Sequence, residues 1–237
     1  MRAIVLAGGK GTRLYPYTVA LPKPLVPVDD IPIIEILLRQ LKHYGVLDVT
    51  VSLAHMAEIL TAFLGNGHKF GLNIDYVRED FPLGTVGPLK LVKDLQDDVL
   101  LMNGDVLTDL DYAAFFTKHM QGSAEISIST FIKTVGVDLG VLKTQDNRVV
   151  DYFEKPKVDY EVSMGVYAIR KTAIDLIPDN VYFDFPMLVK ALLAAGREVR
   201  AIPFSGTWLD IGRPSDYEEA QNILRTHKLR LLPDSPQ

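Results

Sequence analysis

A chain of 237 residues with 48% hydrophobic and 23% charged side chains is long enough to bury one large core. Its net charge of -5 leaves no basic surplus to neutralise a nucleic-acid backbone, and the lack of cysteine removes disulfides, thiolate metal sites and a cysteine nucleophile. No apolar stretch is long enough to span a bilayer and no leader-like segment is read before the first strand, so a cytoplasmic protein is expected, with small-molecule partners and neither nucleic acid nor membrane.

Arg2–Leu6 is a short apolar run of the kind that forms a buried parallel strand. It leads into Ala7-Gly8-Gly9-Lys10-Gly11-Thr12, where glycines let backbone N–H groups approach a ligand, and Arg13 and Lys23 follow with two positive charges. Such a loop suits phosphate. A P-loop would need Gly-x-x-x-x-Gly-Lys-Ser/Thr, which is absent, and a dinucleotide fingerprint would need a third glycine where Leu14 stands. Pro16, Pro22, Pro24 and Pro27 forbid a regular helix after the loop. The acidic pair Asp29 and Asp30 lies at about the distance of a ribose contact, which keeps the dinucleotide reading open. A plain structural turn is also open, but leaves Arg13 and Lys23 without a task.

Leu-Ala-Gly-Gly-x-Gly-Thr-Arg-Leu-x-Pro-x-Thr at Leu6–Thr18, then Pro-Lys-Pro-Leu-x-Pro-Val at Pro22–Val28, resembles the signature of the sugar-1-phosphate nucleotidylyltransferases. These enzymes make nucleotide sugars and release pyrophosphate. The resemblance recurs in order along nearly the whole chain. It is of the GDP-mannose pyrophosphorylase or heptose-1-phosphate guanylyltransferase type, without a C-terminal β-helix. It implies an α/β fold, a three-layer α/β/α Rossmann-like domain over residues 1–227 with a mixed, mostly parallel central sheet. Residues 1–105 would be mainly the nucleotide-binding half and 106–227 mainly the sugar-phosphate half. Residues 228–237 read as a tail, too short for the added β-helical domain.

Beyond the loop, Ile33, Ile34, Leu37, Leu38, Leu41 and Tyr44 follow helical spacing and stop at Gly45. Asp48–Ala54 reads as a strand, His55–Leu64 as a helix and Leu72–Arg78 as a strand; alternating units of this kind imply a mostly parallel sheet with helices on both faces. His55 and His68 lack a ligand-type neighbour at metal spacing and read as ordinary surface or turn histidines. Glu79-Asp80-Phe81-Pro82-Leu83-Gly84-Thr85 leads into a helix expected over Pro88–Leu95, with Thr85 as its N-cap. In the family, Pro-Leu-Gly-Thr-x-Gly lies against the nucleobase, which implicates Pro82, Gly84 and Thr85. Glu79 could accept from the N1–H and 2-amino pair of guanine, a better match than the single N–H of thymine or uracil, so GTP is favoured. Glu79 facing solvent or capping the helix is the alternative.

Val99–Met102 is a buried strand that delivers Asn103-Gly104-Asp105 to the carboxyl edge of the sheet, where open α/β sheets bind ligands. The same triplet makes ordinary turns; the resemblance makes Asp105 a metal ligand. Asp109, Asp111 and His119 read as solvated or capping groups. Tyr112–Met120 is expected as a helix, Glu125–Ile132 as an alternating strand, and Gly140–Leu142 with Val149–Phe153 as a hairpin turning at Asp146-Asn147. The resemblance assigns Gly140, Glu154 and Lys155 to the sugar phosphate, with Glu154 on sugar hydroxyls and Lys155 on the phosphate. A bare Glu-Lys pair is more often solvated. Ser163 stands before Met164-Gly165 where the family commonly has Asn, which loosens any statement about the sugar held there. Met187, Leu188, Ala191, Leu192 and Ala195 are expected on the buried side of a helix ending at Gly196. In Trp208-x-Asp210-Ile211-Gly212-x-Pro214 the resemblance makes Asp210 the second metal ligand, and helix Pro214–Thr226 closes the domain.

Two carboxylates from distant segments, with no competing His or Cys cluster, suit Mg²⁺. A sugar 1-phosphate is mostly dianionic at neutral pH, because the second pKa of a phosphate monoester is about 6, so its oxygen needs no general base. The protein is left to position the reactants and neutralise charge. On this reading Leu6, Ala7, Gly8, Gly9, Gly11, Thr12, Asn103 and Gly104 hold the nucleotide. Arg13 and Lys23 meet the departing pyrophosphate, and Lys155 aligns the attacking phosphate. The expected substrates are GTP and a mannose- or heptose-type sugar 1-phosphate. The alternatives are the same chemistry with UTP, dTTP or CTP and a glucose-type sugar, a nucleotide-sugar sensor without catalysis, and a glycosyltransferase. The assembly is left open between a monomer and a homodimer.

Overall fold

The computed structural model describes residues 1–95 and 98–233. The first half contains β1 (Arg2–Leu6), β2 (Pro27–Val28), β3 (Ile31–Pro32), α1 (Ile33–His43), β4 (Asp48–Leu53), α2 (Ala57–Leu64) and β5 (Asn73–Arg78). The middle contains β6 (Val99–Asn103), β7 (Val106–Thr108), α3 (Tyr112–Met120), β8 (Ile126–Gly136), β9 (Gly140–Gln145), β10 (Arg148–Glu154) and β11 (Lys157–Ile169). The chain ends with α4 (Lys171–Ile174), α5 (Phe185–Ala194), β12 (Val199–Pro203), β13 (Trp208–Asp210) and α6 (Pro214–Leu231).

Seven strands form the central sheet in the order β12-β8-β11-β6-β1-β4-β5. Only β11 runs against its neighbours, so the sheet is mixed and mostly parallel, as expected. A strand buried on both faces must be apolar throughout, and the period of two then sorts its side chains. Ala3 and Val5 of β1 pack with Leu37, Leu41 and Leu60 of α1 and α2, whereas Ile4 packs with Leu188 and Leu192 of α5. Strand β6 divides likewise, Leu100 and Met102 to one side and Val99 and Leu101 to the other. Three layers result.

A third cluster joins Leu14 at the end of the glycine loop to Ile33 and Ile36 of α1, Leu209 and Ile211 beside β13, and Leu224 of α6. Helix α1 therefore buries two sides. Between them sits Gln40, whose Nε2 donates to the carbonyls of Thr108 (2.7 Å) and Leu231 (3.0 Å) while its Oε1 accepts from the Tyr112 hydroxyl (3.0 Å). A buried amide with these partners costs little and locks α1, α3, β7 and α6 together.

Several local expectations are corrected. Helix α6 runs on past its expected end at Thr226 to Leu231, with non-helical dihedrals at His227, and Leu231 and Leu232 are fully buried. The helix expected over Pro88–Leu95 is a 3-10 turn over Gly87–Leu91. Its start is held by a tertiary contact, Val86 and Gly87 both donating to the Phe183 carbonyl. Thr85 caps elsewhere, its Oγ1 accepting from Phe185 N (2.6 Å) at the start of α5. On α5 only Phe185, Leu188 and Leu192 are buried; Met187, Ala191 and Ala195 face solvent. His119 is fully buried rather than solvated, its Nδ1 2.9 Å from Ser127 Oγ. No helix among the described residues is long and apolar enough to cross a membrane.

Candidate active site

Two clefts open at the ends of the central strands and share Asn103, the last residue of β6. The first, of about 610 Å³, lies over the carboxyl ends of β1, β4 and β5. Its wall is mostly main chain. Ala7 N donates to Ser52 O (2.9 Å) and His55 N to Gly8 O (3.4 Å), which presses the glycine loop against the end of β4. A Cβ at Gly8 would stand 3.0 Å from Ala54 Cβ, so a larger residue there would have to push the end of β4 aside. Glu79 lines the same cleft, its Oε1 3.4 Å from where a Cβ at Gly8 would stand. Its Oε2 accepts from Leu83 N (2.8 Å) and its Oε1 from Ser52 Oγ (3.4 Å), which fixes the loop carrying Pro82, Gly84 and Thr85.

The second cleft, of about 380 Å³, lies between β11, β13 and the start of α6. Here charge replaces shape. Arg13, Lys133 and Arg213 line it together with Asp210 and Asp216. Asp216 Oδ2 accepts from the backbone N of Gly212 (3.1 Å) and of Arg213 (2.8 Å), which caps α6 and sets Arg213 at the cleft mouth. Trp208 Nε1 donates to the Met164 carbonyl (2.9 Å), and the Ser163 hydroxyl donates to Tyr167 Oη (3.0 Å).

Asp105 and Asp210 bridge the two clefts. They are brought side by side by the β7·β13 ladder, in which Asp210 faces Val106 and Ile211 N donates to Asp105 O (3.1 Å). Lys23 Nζ is ion-paired with Asp105 Oδ2, while Asp105 Oδ1 is buried without a hydrogen-bond partner. Burial, and then the Asp105 charge, push the Asp210 carboxyl above the usual carboxylate range, against the opposing pull of Lys23 and Arg13. An orphaned carboxylate oxygen beside a second, reluctantly charged carboxylate is the donor set of a hard divalent cation that keeps waters or phosphate oxygens for its other ligands. Among the described residues no group of three or more His, Cys, Asp or Glu gathers at metal-binding distance, so the pair would need substrate oxygens or waters to complete a shell.

A sequence model of the nucleotidyl transferase family matches residues 2–227. The chain belongs to that family. It is 33% identical to a UTP–glucose-1-phosphate uridylyltransferase of Synechocystis sp. over 93% of this chain and 62% of that protein. It is equally 33% identical to a mannose-1-phosphate guanylyltransferase of Mycobacterium tuberculosis, over 91% of this chain and 62% of the relative. The chain thus spans a little over three-fifths of the length of the curated relatives it matches. Among solved structures, HddC from Yersinia pseudotuberculosis in complex with GMP-PN is 26% identical with a TM-score of 0.70, covering 93% of this chain and 98% of that one.

Of the positions expected from sequence, the fold brings Leu6, Ala7, Gly8, Gly9, Lys23, Glu79, Pro82, Gly84, Thr85, Asn103, Gly104 and Asp105 to the first cleft. Arg13, Asn103, Ser163, Gly165 and Asp210 line the second. Gly11 and Thr12 line neither; Gly11 O accepts from Leu14 N and from Thr18 Oγ1, so this pair shapes the loop from behind. Gly140, Glu154 and Lys155 also line neither, lying on an exposed hairpin where the Tyr152 hydroxyl donates to Glu154 Oε2 (2.9 Å). Sequence reasoning missed Lys133 and Arg213 in the second cleft and Lys10, His55 and Tyr182 in the first. Lys10 was legible from its place inside the glycine loop. Lys133 carried no motif.

Proposed function

We propose that this protein joins an NTP to a sugar 1-phosphate, giving a nucleotide sugar and pyrophosphate. A phosphate oxygen of the sugar 1-phosphate attacks the α-phosphorus, the bond to the bridging α–β oxygen breaks, and the electron pair leaves with pyrophosphate. No proton is abstracted in this step, so the reaction requires no general base. The observation that carries the reading is that the nucleotide-type cleft and the cationic cleft meet at Asp105 and Asp210, with Lys23 ion-paired at the junction.

Gly8, Gly9 and the neighbouring backbone would hold the triphosphate, and Lys23 would move from Asp105 toward the charge that gathers on the departing pyrophosphate. Arg13, Lys133 and Arg213 would grip the acceptor phosphate from the second cleft, with Asp105 and Asp210 holding Mg²⁺. That ion, when bound, neutralises phosphate charge and helps align the reacting oxygens. Lys155, expected on the acceptor phosphate, could join them only from the hairpin.

We take GTP as the nucleotide. Glu79 borders the base-type rim with acceptor capacity beyond its two observed bonds, and the HddC structure was solved with a guanine nucleotide analogue. A second reading, UTP with a glucose-type sugar, draws on the Synechocystis relative. We place the activity in the cytoplasm, where nucleoside triphosphates are held. Incubation with Mg²⁺ and each of four NTPs against mannose, glucose and heptose 1-phosphates, following pyrophosphate, decides among them. Release is expected with GTP and a mannose- or heptose-type acceptor; release with UTP and glucose 1-phosphate alone would transfer the reading to the second, and none in any combination would remove catalysis.

A further inference from the structure

Helix α1 and the 3-10 turn His68–Phe70 enclose a cavity of about 310 Å³ that shares no lining residue with either cleft. Glu35, Arg39 and Lys42 approach it from one face of α1, at the spacing of successive turns, and Lys69 and Phe70 approach it from the 3-10 turn. Helix α1 ends shortly before β4 begins, and the turn ends shortly before β5 begins. The cavity therefore lies toward the amino ends of these strands, whereas the first cleft lies over their carboxyl ends.

Three cations border this space and one carboxylate answers them. Arg39 is ion-paired with Glu35, whereas Lys42 and Lys69 form no ion pair among the described residues. Both lysines are nevertheless held. Lys42 lies along the turn, its Nζ 2.9 Å from where a Cβ at Gly71 would stand. Lys69 Nζ is 3.8 Å from the centre of the Phe63 ring and 4.7 Å from that of Phe70. The negative end of the helix dipole suits Lys42, which is in the last turn of α1, but it does not account for Arg39 and Lys69 meeting the same cavity. Like charges brought to one cavity repel, so the arrangement costs energy until an anion enters.

Valence and donor type indicate what enters. Arg39, Lys42 and Lys69 against Glu35 leave a surplus of two positive charges, in a chain whose net charge is -5. A phosphate group on a single ester bond carries nearly two negative charges above about pH 6 and offers three strong acceptor oxygens. The Arg39 guanidinium presents a planar fork of donors to such a group, and the two ammonium groups add rotatable donors beside it. Phe70 is buried and supplies an apolar wall next to the cations. The volume is at the low end of small-molecule sites, which run from roughly 300 to 1,000 Å³, so the ligand is compact.

We propose that this cavity binds a phosphate dianion, free or carried by a compact phosphomonoester, with Arg39, Lys42 and Lys69 as its donors. This does not depend on the reaction proposed for the clefts. The full chain is treated with sulfosuccinimidyl acetate, and the initial acetylation rate of each lysine is read by peptide mass spectrometry against rising inorganic phosphate or glucose 6-phosphate at constant ionic strength. Glucose 6-phosphate has no phosphate at C1 and so is not an acceptor in the proposed reaction. Lys42 and Lys69 should slow at least fivefold with a half-point below about 1 mM, while Lys190, exposed on α5, keeps its rate. The arm with the lower half-point names the source of the dianion. Arg39→Ala should raise the half-point at least tenfold, the loss of one charge-assisted contact; should that variant misfold, Lys42→Gln read at Lys69 replaces it. No slowing by either anion up to about 20 mM overturns the proposal, as does equal slowing at Lys190 or protection that survives the substitution. Lys133, in the second cleft, is read separately in the same spectra, so failure here leaves the proposed reaction standing.

Discussion

The two clefts that meet at Asn103 are made of different material. The first is enclosed by Gly8, Gly9, Gly84 and Gly104 and the backbone around them, whereas the second is enclosed by Arg13, Lys133, Arg213, Asp210 and Asp216. Backbone walls recognise a ligand by outline and by directed N–H groups, and at Gly84 and Gly104 an added Cβ would strike main-chain atoms at 2.6 and 2.8 Å. Side-chain charges recognise a ligand by its valence, and each can be removed without disturbing the wall. A substitution in the first cleft should therefore disturb shape, and one in the second should disturb affinity for a single substrate.

The largest effect should come at the junction. Asp210→Asn should lower turnover roughly a thousandfold, the scale of a lost electrostatic centre, and yet raise the melting temperature measured without divalent ion. The sign follows from the carboxyl being pushed up by burial and by Asp105: the folded state binds this proton more readily than the unfolded chain. The stability linked to the protonated form is present below the ordinary aspartate pKa and lost as pH rises through the raised one, and the neutral amide restores it at pH 7. A fall in melting temperature would show that Asp210 is not held against its preference. Next, Lys23→Ala should cut turnover about a hundredfold; a variant within threefold of wild type would take Lys23 out of the chemistry.

The contrast between clefts is sharpened by smaller effects. Arg213→Ala and Lys133→Ala should each raise KM for the sugar phosphate about tenfold, the worth of one charge-assisted hydrogen bond, and leave KM for the NTP unchanged. Lys155→Ala should stay within about fivefold on both, as befits an exposed charge. Equal rises for both substrates would dissolve the division of labour. The smallest effect lies outside the clefts. Burial, then the Arg170 charge, hold the His119 imidazole below its usual pKa. Its neutral form supports the fold above about pH 6.5, and that support is lost as pH falls through the lowered folded value. Urea midpoints at pH 7.5 and 5.5 should differ less in His119→Gln than in wild type.

Much of this was readable from residues alone, and the pattern of success is physical. Apolar runs such as Ala3-Ile4-Val5 and Leu100-Leu101-Met102 declare strands buried on both faces, because no other environment accepts them. Asp146-Asn147 declares its turn, and both residues do adopt positive φ. The glycine loop and Asn103-Gly104-Asp105 stand out because each is a run of consecutive residues, and both reach the first cleft. What stayed hidden depends on contacts remote in sequence: Thr85 capping a helix that begins a hundred residues later, or Leu231 sealed under Gln40. Lys133 and Arg213 escaped for the same reason. A lysine in an alternating strand and an arginine before a helix are ordinary until β13 and β11 bring them to one cleft.

Strand β11 runs unbroken for 13 residues from an exposed outer end to the middle of the sheet, and its ladder with β8 slips between Ser163 and Tyr167. Gly165 stands at that slip with φ +78°, where a Cβ would come within 2.7 Å of Asn103 Nδ2. The strand is a lever with its fulcrum at the point where both substrates would be handled. A displacement of the long end would bear on Ser163 and Asn103 at the short end, because one piece of backbone carries both ends.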